Sequence, residues 1–102
     1  MIERLKNRDG STTIIAWGIG EIVVADKIGD VSISAVAGSI AEARAIGCVA
    51  WSMMIGAKAR AFVSGSVAFA WAGEAEACDP GAIAVELGKG AIARDFRDKK
   101  PL

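Results

Sequence analysis

Histidine and tyrosine are both absent from this 102-residue chain. Without histidine it lacks the commonest general base, the commonest metal ligand, and every Ser–His or Cys–His pair for nucleophilic catalysis. Cysteine occurs twice, at Cys48 and Cys78, a spacing that fits no zinc motif and too few thiols to staple a secreted miniprotein. Both are expected to be small apolar fillers in a reducing compartment. Neither sign of charge is in excess, with 12 Lys+Arg against 12 Asp+Glu, so no strong field steers the chain toward nucleic acid or an anionic membrane. Long apolar runs are missing too. The longest uncharged stretches, residues 45–57 and 61–73, fall short of the ~20 residues that a spanning helix needs. No apolar segment of the kind found in signal peptides follows Met1. A protein of the cytoplasm or of a virion is expected, with no cofactor, metal, nucleic acid or membrane among its partners.

What is abundant is small: hydrophobic residues make up 53% of the chain, much of it alanine, and there are 12 glycines. Glycine recurs at residues 10, 20, 29, 38, 47, 56, 65, 73, 81 and 90, almost metrically. Between the glycines, large and small residues alternate with period two, which is the strand signature, and glycine suits turns that need positive φ. Two phrases take turns. One is apolar: Cys48-Val49-Ala50-Trp51-Ser52-Met53, then Ser66-Val67-Ala68-Phe69-Ala70-Trp71, then Ala82-Ile83-Ala84-Val85-Glu86-Leu87. The other is charged: Glu42-Ala43-Arg44-Ala45, Lys58-Ala59-Arg60-Ala61, Glu74-Ala75-Glu76-Ala77. A repeat this regular reads as a coil in which each residue type stacks on its own kind.

The expected fold is therefore all-β: a parallel β-solenoid with two short strands per coil of about 16–18 residues. Residues 1–10 form an N-terminal cap, as two helical turns or an irregular segment; residues 11–94 form the solenoid; residues 95–102 form a charged tail. Small residues such as Ala50, Ser52, Ala68, Ala70, Ala84, Ala43, Ala59 and Ala75 point inward. On one sheet Val31, Ile33, Val49, Trp51, Met53, Val67, Phe69, Trp71, Ile83, Val85 and Leu87 point out. Four such rows cover on the order of 300 Å² in projection, the size of an interaction site. This face is the expected oligomer seam. On the other sheet Glu42, Arg44, Lys58, Arg60, Glu74 and Glu76 form a charged face. Equal 16-residue steps would stack Glu42, Lys58 and Glu74 as an alternating ladder, with Arg60 over Glu76 and Arg44 over Arg60.

Ser66-Val67-Ala68-Phe69 and Cys48-Val49-Ala50-Trp51, alternating with Lys58-Ala59-Arg60-Ala61 and Glu42-Ala43-Arg44-Ala45, resemble the head repeats of trimeric autotransporter adhesins. In that family a Ser-Val-Ala-Ile-Gly phrase alternates with an x-Ala-x-Ala-x-Gly phrase. The chain is also similar to short Ala/Gly/Ser-rich solenoid proteins of bacteriophages and prophages. The resemblance covers about residues 29–94. It implies a left-handed parallel β-roll, three copies joined through the Val/Ile face, and a trimer in preference to a dimer.

Chemistry-bearing patterns are few. Gly18-Ile19-Gly20 and Gly88-Lys89-Gly90 sit on the glycine grid and complete no phosphate-binding loop. Asp26, Asp30 and Asp79 share no repeat position, so no calcium ladder is expected. Trp51, Phe69 and Trp71 could stack nucleobases, but basic residues do not interleave with them. The leading expectation is a non-enzymatic interaction module of phage type acting by protein–protein binding. Its partners are further copies of itself and a host protein, one form being an inhibitor of a bacterial defence complex. The alternative is a structural component of a virion, fibre or adhesin-like assembly. An enzyme using Glu74 and Glu76 as acid and base is a third reading, set against the absence of an implied pocket and the presence of Arg60 as an ion-pair partner.

Overall fold

A computed structural model describes residues 1–88 and 90–95. It contains eleven strands and, among the described residues, no helix. The architecture is a β-solenoid. Strand β1 (Ile2–Lys6) is followed by five strand pairs: β2 (Thr12–Ala16) with β3 (Ile22–Ala25), β4 (Val31–Ser34) with β5 (Ile40–Ala43), and β6 (Val49–Ser52) with β7 (Lys58–Ala61). The series ends with β8 (Val67–Ala70) and β9 (Glu74–Ala77), then β10 (Ile83–Glu86) and β11 (Ile92–Asp95). Each pair is one coil. First members hydrogen-bond into a sheet ordered β1-β2-β4-β6-β8-β10, here sheet A, and second members into β11-β9-β7-β5-β3, sheet B. All pairings between coils are parallel and in register, Val49 beside Val67 and Ala59 beside Ala75 for example.

The alternation in sequence becomes alternation in space because successive strand residues face opposite sides. Ala50, Ser52, Ala68 and Ala70 of sheet A and Ala41, Ala43, Ala59, Ala61 and Ala75 of sheet B have no exposed surface. Their small side chains let the two sheets approach closely. The inner hydroxyls are satisfied locally: Ser32 donates to the Glu42 carbonyl (2.9 Å), Ser34 to the Ser39 carbonyl (2.7 Å) and Ser52 to the Ala72 carbonyl (2.9 Å). Cys48 is buried as well and its Sγ donates to the Lys27 carbonyl; Cys78 is half-buried, and no disulfide joins the two. Burial pushes the Cys48 thiol above its ordinary pKa.

The coils turn at two corners. Corner 1 joins sheet A to sheet B and corner 2 leads back to sheet A. At both, a carbonyl accepts from the N–H three residues on, as in Val36 from Ser39 and Val63 from Ser66, with glycine third in the turn. At Gly38 (φ +84) and Gly65 (φ +86) this is a type II geometry that residues with a Cβ avoid. The corners also pair with one another along the stack: Gly20 donates to Gly38, Gly38 to Gly56, Gly47 to Gly65 and Gly65 to Gly81, at 3.0–3.2 Å.

Two expectations need correction. Residues 2–6 are neither helical nor irregular; they form an antiparallel strand on the open edge of β2, Ile2 opposite Ala16 and Lys6 opposite Thr12. An edge strand satisfies the backbone groups that helical turns would leave unpaired. The register of sheet B is also offset from the expected ladder. Ile40 lies beside Lys58 and Glu42 beside Arg60, an 18-residue step, while Lys58 lies beside Glu74, a 16-residue step. The two steps differ because corner 1 takes five residues between Ser52 and Lys58 but three, Trp71-Ala72-Gly73, between Ala70 and Glu74. The charged tail expected over 95–102 lies, apart from Asp95, outside the described residues, as does Lys89.

Candidate functional site

Sheet A presents its outward side chains in two columns. One runs Thr13, Val31, Val49, Val67, Ile83; the other runs Ile15, Ile33, Trp51, Phe69, Val85. Most are half-buried. Trp51 stacks on Phe69 with ring centroids 4.5 Å apart, so the widest residues of the face lie along it as a flat ledge. Met53, Trp71 and Leu87 are not in the strands. Each is the first residue past its strand, its N–H donating to Ser34, Ser52 or Ala70 of the previous coil, and Trp17 and Ala35 open the same corner column. Met53, Trp71 and Leu87 are 40%, 55% and 50% exposed. All eleven residues expected at the seam thus lie on one apolar surface that continues from the sheet onto corner 1.

The charged residues are distributed differently from the expectation. The outer columns of sheet B read Ile22, Ile40, Lys58, Glu74, Ile92 and Val24, Glu42, Arg60, Glu76, Arg94. The second alternates in sign over four coils. Arg60 Nε lies 2.8 Å from Glu76 Oε1, Arg94 Nε 2.8 Å from Glu74 Oε1, and Lys58 Nζ 3.8 Å from Glu74 Oε2. Arg44 does not stack over Arg60. It sits past the end of β5, reaches back to Glu42 (Nε–Oε1, 2.8 Å) and lies 4.3 Å above the Phe62 ring, which removes the expected like-charge contact. Glu42 and Glu76 are 8% and 7% exposed, covered by these guanidinium groups. Glu74 and Glu76 are each engaged by a cation, Glu74 by Lys58 and Arg94 and Glu76 by Arg60.

Concavities occur at the N-terminal end. A cleft of about 270 Å³ lies where β1 covers β2 but leaves β3 with a strand neighbour on one side only, lined by Ile2, Arg4, Ile14, Val23, Asp26 and Asp30 among others. Asp30 is buried and accepts from the Thr12 N–H at 3.0 Å. Among the described residues no group of three or more potential metal ligands occurs, and there is no helix long and apolar enough to cross a membrane.

Sequence reasoning missed the exposed isoleucines. Ile19, Ile28, Ile46 and Ile55 are 67–86% exposed, each immediately before a corner glycine. The recurring Ile-Gly pair was the available signal: the second position of a type II turn points its side chain away from the coil. No protein-family model, curated protein or solved structure matches this chain, so its function has to be argued from this geometry.

Proposed function

We propose that the chain is a non-enzymatic interaction module of phage type that associates with further copies of itself through the outer face of sheet A. It leaves the ion-paired sheet B and the corners free for a protein partner. The observation that carries this reading is the half-exposed apolar face, which continues across all five coils without an ionisable side chain in either of its columns. An apolar surface of that extent on a chain with an alanine and serine core calls for burial, because a thin core gives a domain this small little apolar area. Three copies about the apolar sheets is the arrangement implied by the likeness to adhesin head repeats. Binding to a bacterial defence complex would engage sheet B, whose paired charges complement a partner with its own alternating charges.

A fibre built by end-to-end stacking is the less favoured reading. Strand β1 runs antiparallel on β2 and occupies the place that the last sheet A strand of a preceding copy would take. Val67→Glu, an outward substitution between Val49 and Ile83, separates the outcomes. The expected result is a lower solution mass with an unchanged β-sheet circular dichroism spectrum. An unchanged mass would remove sheet A as the seam. Arg60→Gln on sheet B serves as the control and keeps the wild-type mass.

A further inference from the structure

Strand β3 is the last strand of sheet B and pairs on one side only, with β5. On that side the Glu21 and Ala25 carbonyls accept from the Ile40 and Arg44 N–H groups. Backbone groups alternate in direction along a strand. The N–H and C=O of Ile22 and of Val24 therefore point the other way, into the cleft at the N-terminal end. Nothing within the strand guards this edge. Strand β1 carries Glu3, Arg4 and Lys6, charges of the kind that keep an edge from pairing, whereas β3 reads Ile22-Val23-Val24-Ala25. Across the cleft lies the inner face of β1. Ile2 is opposite Ala16 and Arg4 opposite Ile14, which puts both in the inward row, and both are exposed because no strand faces them. Among the described residues Arg4 has no ion-pair partner. Of the acids at the cleft, Asp30 is buried and accepts from the Thr12 N–H, and Asp26 stands exposed at corner 2 next to Lys27. Arg4 is thus the cation left facing the cleft.

We infer that the β3 edge is a strand-addition site for one extended peptide segment of a partner protein, which pairs with Ile22 and Val24 and sets a carboxylate side chain against Arg4. The cleft admits a single strand, because β1 fills the adjoining place in sheet A. The C-terminal end of another copy presents two strands, β10 and β11, and its β10 would collide with β1. An antiparallel pairing of two β3 edges would drive the β1 of each copy into sheet A of the other. A lone extended segment meets neither obstacle, so the occupant is a foreign peptide rather than a second copy. Its pattern follows from the register. The chain reverses at corner 1, so Ile2 lies toward the start of β3 and Arg4 toward Ala25. Outward residues of the peptide continue the Ile22 and Val24 columns and are apolar. The inward residue beside Val23 is small and apolar against Ile2, and the inward residue beside Ala25 is Asp or Glu against Arg4. In strand addition the main-chain bonds give affinity and the alternate side chains give specificity. The site is separate from the sheet A seam and gives the proposed interaction module a second kind of partner.

The test uses the full chain and is read by fluorescence anisotropy of labelled peptides and by amide hydrogen exchange at Ile22 and Val24. The probes are octapeptides, Ser-Gly-Ile-Ala-Val-Glu-Gly-Ser and a second with its central four residues reversed, each also made with Lys in place of Glu. One of the two glutamate peptides binds saturably and slows exchange of both amides, and its lysine counterpart binds roughly tenfold more weakly. Arg4→Glu reverses that preference. Val24→Pro removes an N–H that faces the cleft and not β5, so it abolishes binding while the β-sheet circular dichroism spectrum is kept. Val67→Glu, the variant that tests the sheet A seam, binds the peptide as wild type does, so the two readings fail separately. Failure of both glutamate peptides to bind, equal binding of the lysine peptides, or undiminished binding by Val24→Pro would overturn the inference. Ile22 and Val24 amides already protected in the protein alone would overturn it too, by giving the edge to a second copy.

Discussion

At single positions, the fold rests on residues that are nearly without side chains. Gly38 combines φ +84 with a close neighbour, since a Cβ there would lie 3.1 Å from Ile19 Cγ2. Gly38→Ala should therefore lower stability by about 1–2 kcal/mol, the cost of a left-handed conformation for a residue with a Cβ, read as a shift in the urea midpoint. At corner 2, Asp79 accepts from the Gly81 N–H (2.9 Å) and the Ser64 hydroxyl (2.8 Å). These bonds, the Gly81 N–H foremost, hold its carboxyl below the ordinary 3.8. A carboxyl that ionises more readily when folded stabilises the fold above its unfolded pKa, and loses that contribution as pH falls through the folded value. Asp79→Asn should be less stable than wild type at neutral pH, and the gap should close as pH drops below 3.8. A constant gap down to acid would show that the turn does not depend on the charge.

In the strands, the inward rows admit nothing larger than serine over most of the stack. Ala59 lies between Ala41 and Ala75 in its column and is fully buried. Ala59→Leu should cost about 1–3 kcal/mol by overpacking, whereas Lys58→Ala, one position before it but facing out in a long, exposed pair with Glu74, should cost less than about 1 kcal/mol. Equal effects would contradict the assignment of faces. This facing was legible in the sequence, because Lys-Ala-Arg-Ala can place its alanines on one side only when the strand is regular. The register of sheet B was not. Aligning Glu42, Lys58 and Glu74 by charge gave a uniform step, yet Gly20, Gly38 and Gly56 already step by 18 residues and bond to one another. The glycines, not the charges, keep the phase, because a corner tolerates no slip of its positive-φ residue, whereas a strand can exchange one surface pair for another. The shortened corner at Trp71–Gly73 then restores Lys58 to Glu74. Strand β1 was hidden for a different reason: Ile2-Glu3-Arg4-Leu5-Lys6 carries charges on both faces, and only the exposed edge of β2 makes it extended.

The molecule as a whole has an inside made mostly of alanine and serine, with Ile14, Val23 and Cys48 among them, and most of its larger apolar residues lie outside. Trp51, Phe69, the valine column, and the corner residues Trp17, Ile19, Met54, Ile55 and Trp71 are partly or largely exposed, while the core cluster contains no aromatic residue. That inversion makes sense for a chain whose larger apolar residues are reserved for contacts with other chains, and it is the reason for reading the protein as an interaction module. The outward apolar rows were visible in the sequence as Val-Ala-Trp-Ser and Val-Ala-Phe-Ala; their continuation round corner 1 was not, because the turn isoleucines read as loop filler until the corner directs them outward. The most direct test is the wild-type solution mass by light scattering over a range of concentrations. Self-association predicts a particle that is a whole multiple of 10.5 kDa and holds that mass on dilution into the micromolar range. A particle of 10.5 kDa at every concentration would contradict the account and leave the apolar surface without the partner assigned to it.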